Sequence, residues 1–183
     1  MGTATDTSFA TTPEPTTLRF VRTLPGPIER VWAYLTESAK RGQWLASGDM
    51  DLRVGGDVYL EWHNDELSAA PEETPERYRG DKHPSMRGHI TRLETMRLLA
   101  YTWSEGSEEE SEVSFELTPR GDQVELVLTH QRLTDRRNRV EAAGGWHTHL
   151  AILEQVLSGD EVIPFWSTFE QLEREYDRRI SRG

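Results

Sequence analysis

Between Ser85 and Arg132 the chain repeats one device: a short run of alternating apolar and polar residues, then a turn. Leu99, Tyr101 and Trp103 alternate; so do Val113, Phe115 and Leu117, and again Val124, Leu126 and Leu128. A period of two places every second side chain on one face of a strand. The breaks carry Glu-Gly-Ser and Pro-Arg-Gly-Asp, which are turn chemistry, so successive strands form an antiparallel meander. A sheet with one apolar face needs a cover. The chain supplies it at once: Trp146, Leu150, Leu153 and Leu157 step by four, three and four residues, which is one face of a helix, and Gly159 is placed to stop it.

The residues before the meander extend the same plan. "TTLRFVRTL" alternates well enough for a first strand, with Leu18 and Phe20 on one side and Arg19, Val21 and Arg22 assigned outward. Pro27 opens a helix with Ile28, Val31, Trp32 and Leu35 on one stripe, and "SAKRGQWL" makes a shorter one. "DMDLRV" and "DVYLEWHN", joined by Gly55 and Gly56, read as a hairpin with Met50, Leu52 and Val54 on one face. That brings the sheet to about seven strands. The stretch 64–85 is rich in charge and proline and reads as a loop, functional or disordered. A last helix follows Pro164, with Phe165, Phe169, Leu172 and Tyr176 on its stripe. The expected organisation is a flexible tail at 1–16, one α+β domain at 17–159, and an extra helix at 160–183 that packs on the domain or forms a homodimer contact.

Composition excludes several functions. The 21 basic and 32 acidic residues leave a net charge of −11, which repels phosphate backbones, so nucleic acid is not an expected partner. There is no cysteine, hence no disulfide, thiolate metal site or cysteine nucleophile. No apolar run approaches the ~20 residues of a membrane span, and the first residues lack the pattern of a secretory signal. A cytoplasmic protein is expected.

The segments "RVWAYLTESAKRGQWL", "DLRVGGDVYL", "LLAYTW", "ELTPRGDQVELVLTH" and "GGWHTHL", taken in order, resemble the START-like, helix-grip proteins. They are most similar to the branch called activator of heat-shock protein 90 ATPase homologues, over about residues 17–159. The resemblance implies a curved antiparallel sheet gripping a long C-terminal helix, with a cavity between them. Many relatives bind lipids, polyketides or other apolar molecules there, and some are cyclases or dehydratases. The co-chaperone members carry a separate N-terminal domain not matched in these residues, so the family name does not by itself imply that activity. The 64–85 loop falls where a lid would close the cavity mouth.

Against that background the histidines are weighed. His147 and His149 stand two apart on a helix and point about 200° apart, so they do not share a metal ion. His149 falls on the inner stripe beside Trp146 and Leu153; His147 leans toward solvent or the last helix. His130 shares a face with Leu126 and Leu128 and is placed to meet Trp146. His63 and His83, flanking the charged loop, are expected in water, as are Glu72 and Glu73. No Gly-x-Ser-x-Gly, Gly-x-Gly-x-x-Gly or Walker-type loop occurs, so no catalytic signature, cofactor or metal site is expected. An acid or base, if there were one, would be His130, His89 or Tyr101.

The expected function is therefore binding of a small apolar or amphipathic ligand. The expected lining is Leu60, Trp62, Leu99, Tyr101, Trp103, Phe115, Leu126, Leu128, His130, Trp146, His149, Leu150 and Leu153. Two alternatives use the same chain differently: a cyclase, dehydratase or hydrolase in the same cavity, or a chaperone-related or homodimeric protein. The second would show an exposed patch of Phe165, Trp166 and Phe169.

Overall fold

The computed structural model describes residues 8–70 and 72–182. The alternating runs become β1 (Leu18–Pro25), β2 (Asp57–Glu61), β3 (Ser85–Glu94), β4 (Leu98–Trp103), β5 (Ser111–Arg120) and β6 (Gln123–Gln131). The helical stripes become α1 (Ile28–Thr36), the short α2 (Ser38–Arg41), α3 (Arg136–Ser158) and α4 (Phe165–Arg179). The six strands form one antiparallel sheet in the order β1-β6-β5-β4-β3-β2. The register lines up Phe20, Leu128, Phe115 and Leu99 in a row across four strands, each buried. Each such side chain contributes about 1.5–3 kcal/mol by leaving water.

α3 lies across this face. Asp135 caps its first turn by accepting from Asn138 N–H at 2.8 Å, and Gly159 ends it in the left-handed region at φ 73°. Its outer side is buried as well, because α4 packs there. A Cβ on Gly144 would meet backbone atoms of Glu173 at 3.2–3.3 Å, so the bare backbone sets how closely the two helices approach.

Three expectations change. Residues 49–54 do not form a seventh strand. They pair with β2 through the isolated bridge Met50–Val58, with Ser47–Glu61 just before them, and Leu52 and Val54 are 45% and 63% exposed. The reason is local: Gly48, at φ 127°, crosses close over the Tyr59 carbonyl, and Arg53 N–H turns back onto Asp51 O at 2.7 Å. Arg22 points inward. It is 7% exposed, donates to Ser8 O at 2.7 Å and pairs with Glu154 of α3 at 3.4 Å. Finally, residues 8–11 of the segment read as a tail are docked. Thr11 pairs with Arg19, Ala10 N–H donates to Tyr176 Oη at 2.9 Å, and Phe9 packs edge-on against Tyr176 and His147. Residues 1–7 lie outside the described residues.

Candidate functional site

Where the start of α3 leaves the sheet, a cleft of about 190 Å³ remains. The sheet side supplies Trp62, Trp103 and His130, and the loop after α2 supplies Leu45. α3 supplies Asn138, Glu141, Ala142, Gly145, Trp146 and His149. Positions 138, 142, 145 and 149 step by four, three and four, so one stripe of the helix faces the opening. The opening exists because that stripe is small: a Cβ built on Gly145 meets nothing within 4 Å.

The aromatic walls hold one another. Trp103 packs against Trp62 at 5.5 Å and against Trp146 at 5.1 Å between ring centroids. Behind them lies a hydrogen-bond chain. The Trp146 indole N–H donates to His130 Nδ1 at 2.9 Å. The neutral ring therefore carries its proton on Nε2, which faces Ser111 Oγ at 2.8 Å. Burial pushes the His130 pKa down to about 3, so at neutral pH it is an uncharged bracket with both nitrogens occupied. His149 is buried too, and desolvation lowers its pKa to about 4. Its Nδ1 lies 2.7 Å from Trp44 O, a carbonyl that only accepts. The proton thus sits on Nδ1, and Nε2 keeps a lone pair. Glu141 adds a half-buried carboxylate held by Arg137 at 2.9 Å.

Of the expected lining, Trp62, Trp103, His130, Trp146 and His149 meet at this cleft. Leu60, Leu99, Tyr101, Phe115, Leu126, Leu128, Leu150 and Leu153 do not; they are packed core at 0–1% exposure. The helix sits down onto the sheet along most of its length and fills the space a larger cavity would need. Tyr101 keeps a buried hydroxyl without a partner, and burial raises its pKa. His89 stands on an exposed strand position between Glu105 and Asp57, at 2.7 and 3.3 Å. Leu45, Asn138, Glu141, Ala142 and Gly145 were not anticipated. The available signal was the pair Gly144–Gly145 inside a helical pattern, where each glycine costs roughly 1 kcal/mol against alanine and so invites a packing or functional reason.

The segment 64–84 and α4 close the neighbouring side. Glu72 accepts from the N–H groups of Trp166 and Ser167, both at 2.7 Å, and so caps α4 rather than standing in water. Arg77 makes a two-pronged pair with Glu173 at 2.9 and 2.5 Å. Tyr78 stacks on Trp166 at 5.0 Å. Phe165, Trp166 and Phe169 are thereby buried at 3%, 9% and 5%, so the expected exposed patch is absent among the described residues. A second cavity of about 240 Å³ lies under this segment and shares Trp62 with the first. Around it Asn64 Oδ1, Tyr78 Oη and Trp166 Nε1 are buried without hydrogen-bond partners.

Comparison with known proteins places this architecture. A family model described as "Activator of Hsp90 ATPase homolog 1-like protein" matches residues 25–158. The chain belongs to that family. A protein of Bordetella parapertussis solved by NMR is 44% identical, covering 92% of this chain and 88% of its own, with a TM-score of 0.79. CalU16 from Micromonospora echinospora is 23% identical over 90% and 88%, with a TM-score of 0.66. EF2215 from Enterococcus faecalis, a conserved protein of unknown function, is 21% identical over 91% and 86%, with a TM-score of 0.64. These last two likenesses establish the helix-grip fold alone. Comparison with curated proteins finds no match. The matched region of this family member ends with α3, so α4 and its contacts to the 64–84 segment lie beyond it. No helix is long and apolar enough to cross a membrane among the described residues.

Proposed function

We propose that the protein binds a small aromatic molecule carrying a hydrogen-bond donor, such as a phenol or aryl amine, in the cleft between α3 and the sheet. The observation that carries this reading is the cleft's lining: Trp62, Trp103 and Trp146 around an opening that Gly145 leaves vacant, beside a neutral His149. The tryptophans offer ring faces for stacking. The acceptors on offer are His149 Nε2 and the Glu141 carboxylate, which select a ligand that donates. The size, about 190 Å³, supports one substituted ring or two fused ones, since a cavity of about 150 Å³ holds benzene. A full-length lipid is too large for it. Catalysis has less support, because His130, the most buried histidine here, spends both nitrogens on Trp146 and Ser111.

The test is a tryptophan-fluorescence titration with phenols, aryl amines and matched hydrocarbons, alongside native mass spectrometry of protein purified without detergent. Donor-bearing aromatics are expected to quench and to bind at one site. Gly145→Phe should fill the opening and abolish that binding while the protein stays folded. Equal binding to wild type and Gly145→Phe would overturn the assignment.

A further inference from the structure

The two ends of the acidic 64–84 segment meet at a cluster of metal-ligating side chains that the cleft does not use. Trp62 N–H donates to Pro84 O at 2.9 Å, which brings His63 beside His83. Their rings stack with centroids 4.0 Å apart. The Glu66 carboxylate reaches in from the 3-10 turn Asn64–Glu66 to 3.7 Å from His63 Nδ1. One ligating atom from each of His63, Glu66 and His83 lies within 4.8 Å of the others, and no second such group forms among the described residues.

Two observations distinguish this cluster from polar side chains gathered by chance. His83 Nδ1 is buried with no hydrogen-bond partner, a condition that costs about 1–3 kcal/mol unless something pairs with it. His63 is already arranged as a ligand. Its Nε2 lies 2.8 Å from Glu61 Oε1, and Glu61 Oε2 accepts from the Tyr59 hydroxyl at 3.0 Å. A carboxylate on one ring nitrogen holds the proton there and leaves the lone pair on the other, as it does behind metal-bound histidines.

We propose that His63, Glu66 and His83 bind a zinc ion that fastens the two ends of the 64–84 segment together, with Glu61 orienting His63. Two imidazoles and a carboxylate suit zinc, and three protein ligands leave a fourth position for water. Zinc bonds of ~2.0–2.1 Å set donor atoms about 3.3 Å apart. Binding therefore draws the three groups inward and opens the angle between the rings from 30°. His63 and His83 are half-buried and Glu66 is exposed, at the two ends of the segment. His63, Glu66 and Glu61 also line an open groove of about 360 Å³ beside α2, which gives the fourth position access to solvent.

The experiment uses the full-length protein after chelator treatment. Zinc is titrated in competition with a chromogenic chelator, and cobalt(II) is followed by visible absorption. One ion per chain is expected, with the cobalt bands of a four-coordinate site. His63→Ala and His83→Ala should each abolish uptake, and Glu61→Gln should weaken it about 10–100-fold. His89→Ala, a surface histidine on β3, should leave it unchanged. Zinc should slow proteolytic cleavage within 64–82 in the wild type and not in His83→Ala, with far-UV circular dichroism confirming that each variant is folded. No stoichiometric uptake, or uptake that survives loss of both His63 and His83, would overturn the proposal.

Discussion

The corner where β6 meets α3 and the segment that runs from 63 to 84 both carry histidine and carboxylate beside tryptophan, yet they treat histidine in opposite ways. At the corner both nitrogens of His130 are spoken for: Trp146 donates to one and the other faces Ser111. Along the segment Asn64, Tyr78 and His83, and Trp166 of α4 against it, each keep a buried polar atom without a partner. A histidine whose two nitrogens are occupied in a dry core is a structural bracket. One with a free nitrogen at a loop end is available to a ligand. Burial alone does not separate the two cases; the accounting of hydrogen bonds does.

Breaking the corner should have the largest effect. Trp146→Ala or His130→Ala leaves a cavity and an orphaned partner, and should lower stability by about 3–5 kcal/mol in urea unfolding. His63→Ala, measured without metal, should change it by less than about 0.5 kcal/mol. Similar losses at the two sites would erase the distinction.

Acid should act on the same corner. His130 and His149 have folded pKa values of about 3 and about 4, below the ~6.5 of an unfolded histidine. Between those limits the unfolded chain binds protons that the folded one refuses. The stability these residues sustain is complete above pH ~6.5 and falls as pH drops, by about 1.4 kcal/mol per pH unit for each histidine. Urea midpoints at pH 7 and pH 5 measure this, and His149→Gln should remove about one proton's share of the slope.

The adjacent glycines sharpen the comparison at a smaller scale. Gly144→Val pushes α3 against the Glu173 backbone and should destabilise by about 1–3 kcal/mol. Gly145→Ala enters open space and should stabilise by about 0.5–1 kcal/mol through helix propensity. Thermal unfolding of the pair should give opposite signs. A small effect also belongs to Arg77→Ala. Its pair with Glu173 is largely exposed on the arginine side, at 42%, so about 0–1 kcal/mol is at stake, with faster proteolysis of the 64–84 segment as the visible consequence.

The alternation of Leu99 to Leu128 specified β4, β5 and β6 because a half-buried strand writes its register into every second residue. The stripe of α3 was legible for the same reason. Of the hairpin expected from "DMDLRV" and "DVYLEWHN", only the second strand forms, as β2. Gly55–Gly56 marks a turn, but the close crossing at Gly48 that spoils the first strand depends on where Tyr59 stands, and spacing along the chain carries no record of that. Arg22 is grouped outward with Arg19 and Val21, although a period of two carries it to the face of Leu18 and Phe20; there Glu154 and the Ser8 carbonyl provide its pairing.

The cleft divides along the same line. By itself the sequence determined which side chains face inward, since periodicity fixes a face, and hence that Trp62, Trp103, His130, Trp146 and His149 belong to the interface of sheet and helix. Only the tertiary structure decided that most of that interface is solid, that the space remaining lies over Gly145, and that His63 and His83, twenty residues apart, stand ring to ring. Faces are local properties of a strand or helix. Vacancies and long-range meetings follow from how those elements settle against one another, and packing at close density leaves them only where the last side chain is too small or the chain returns.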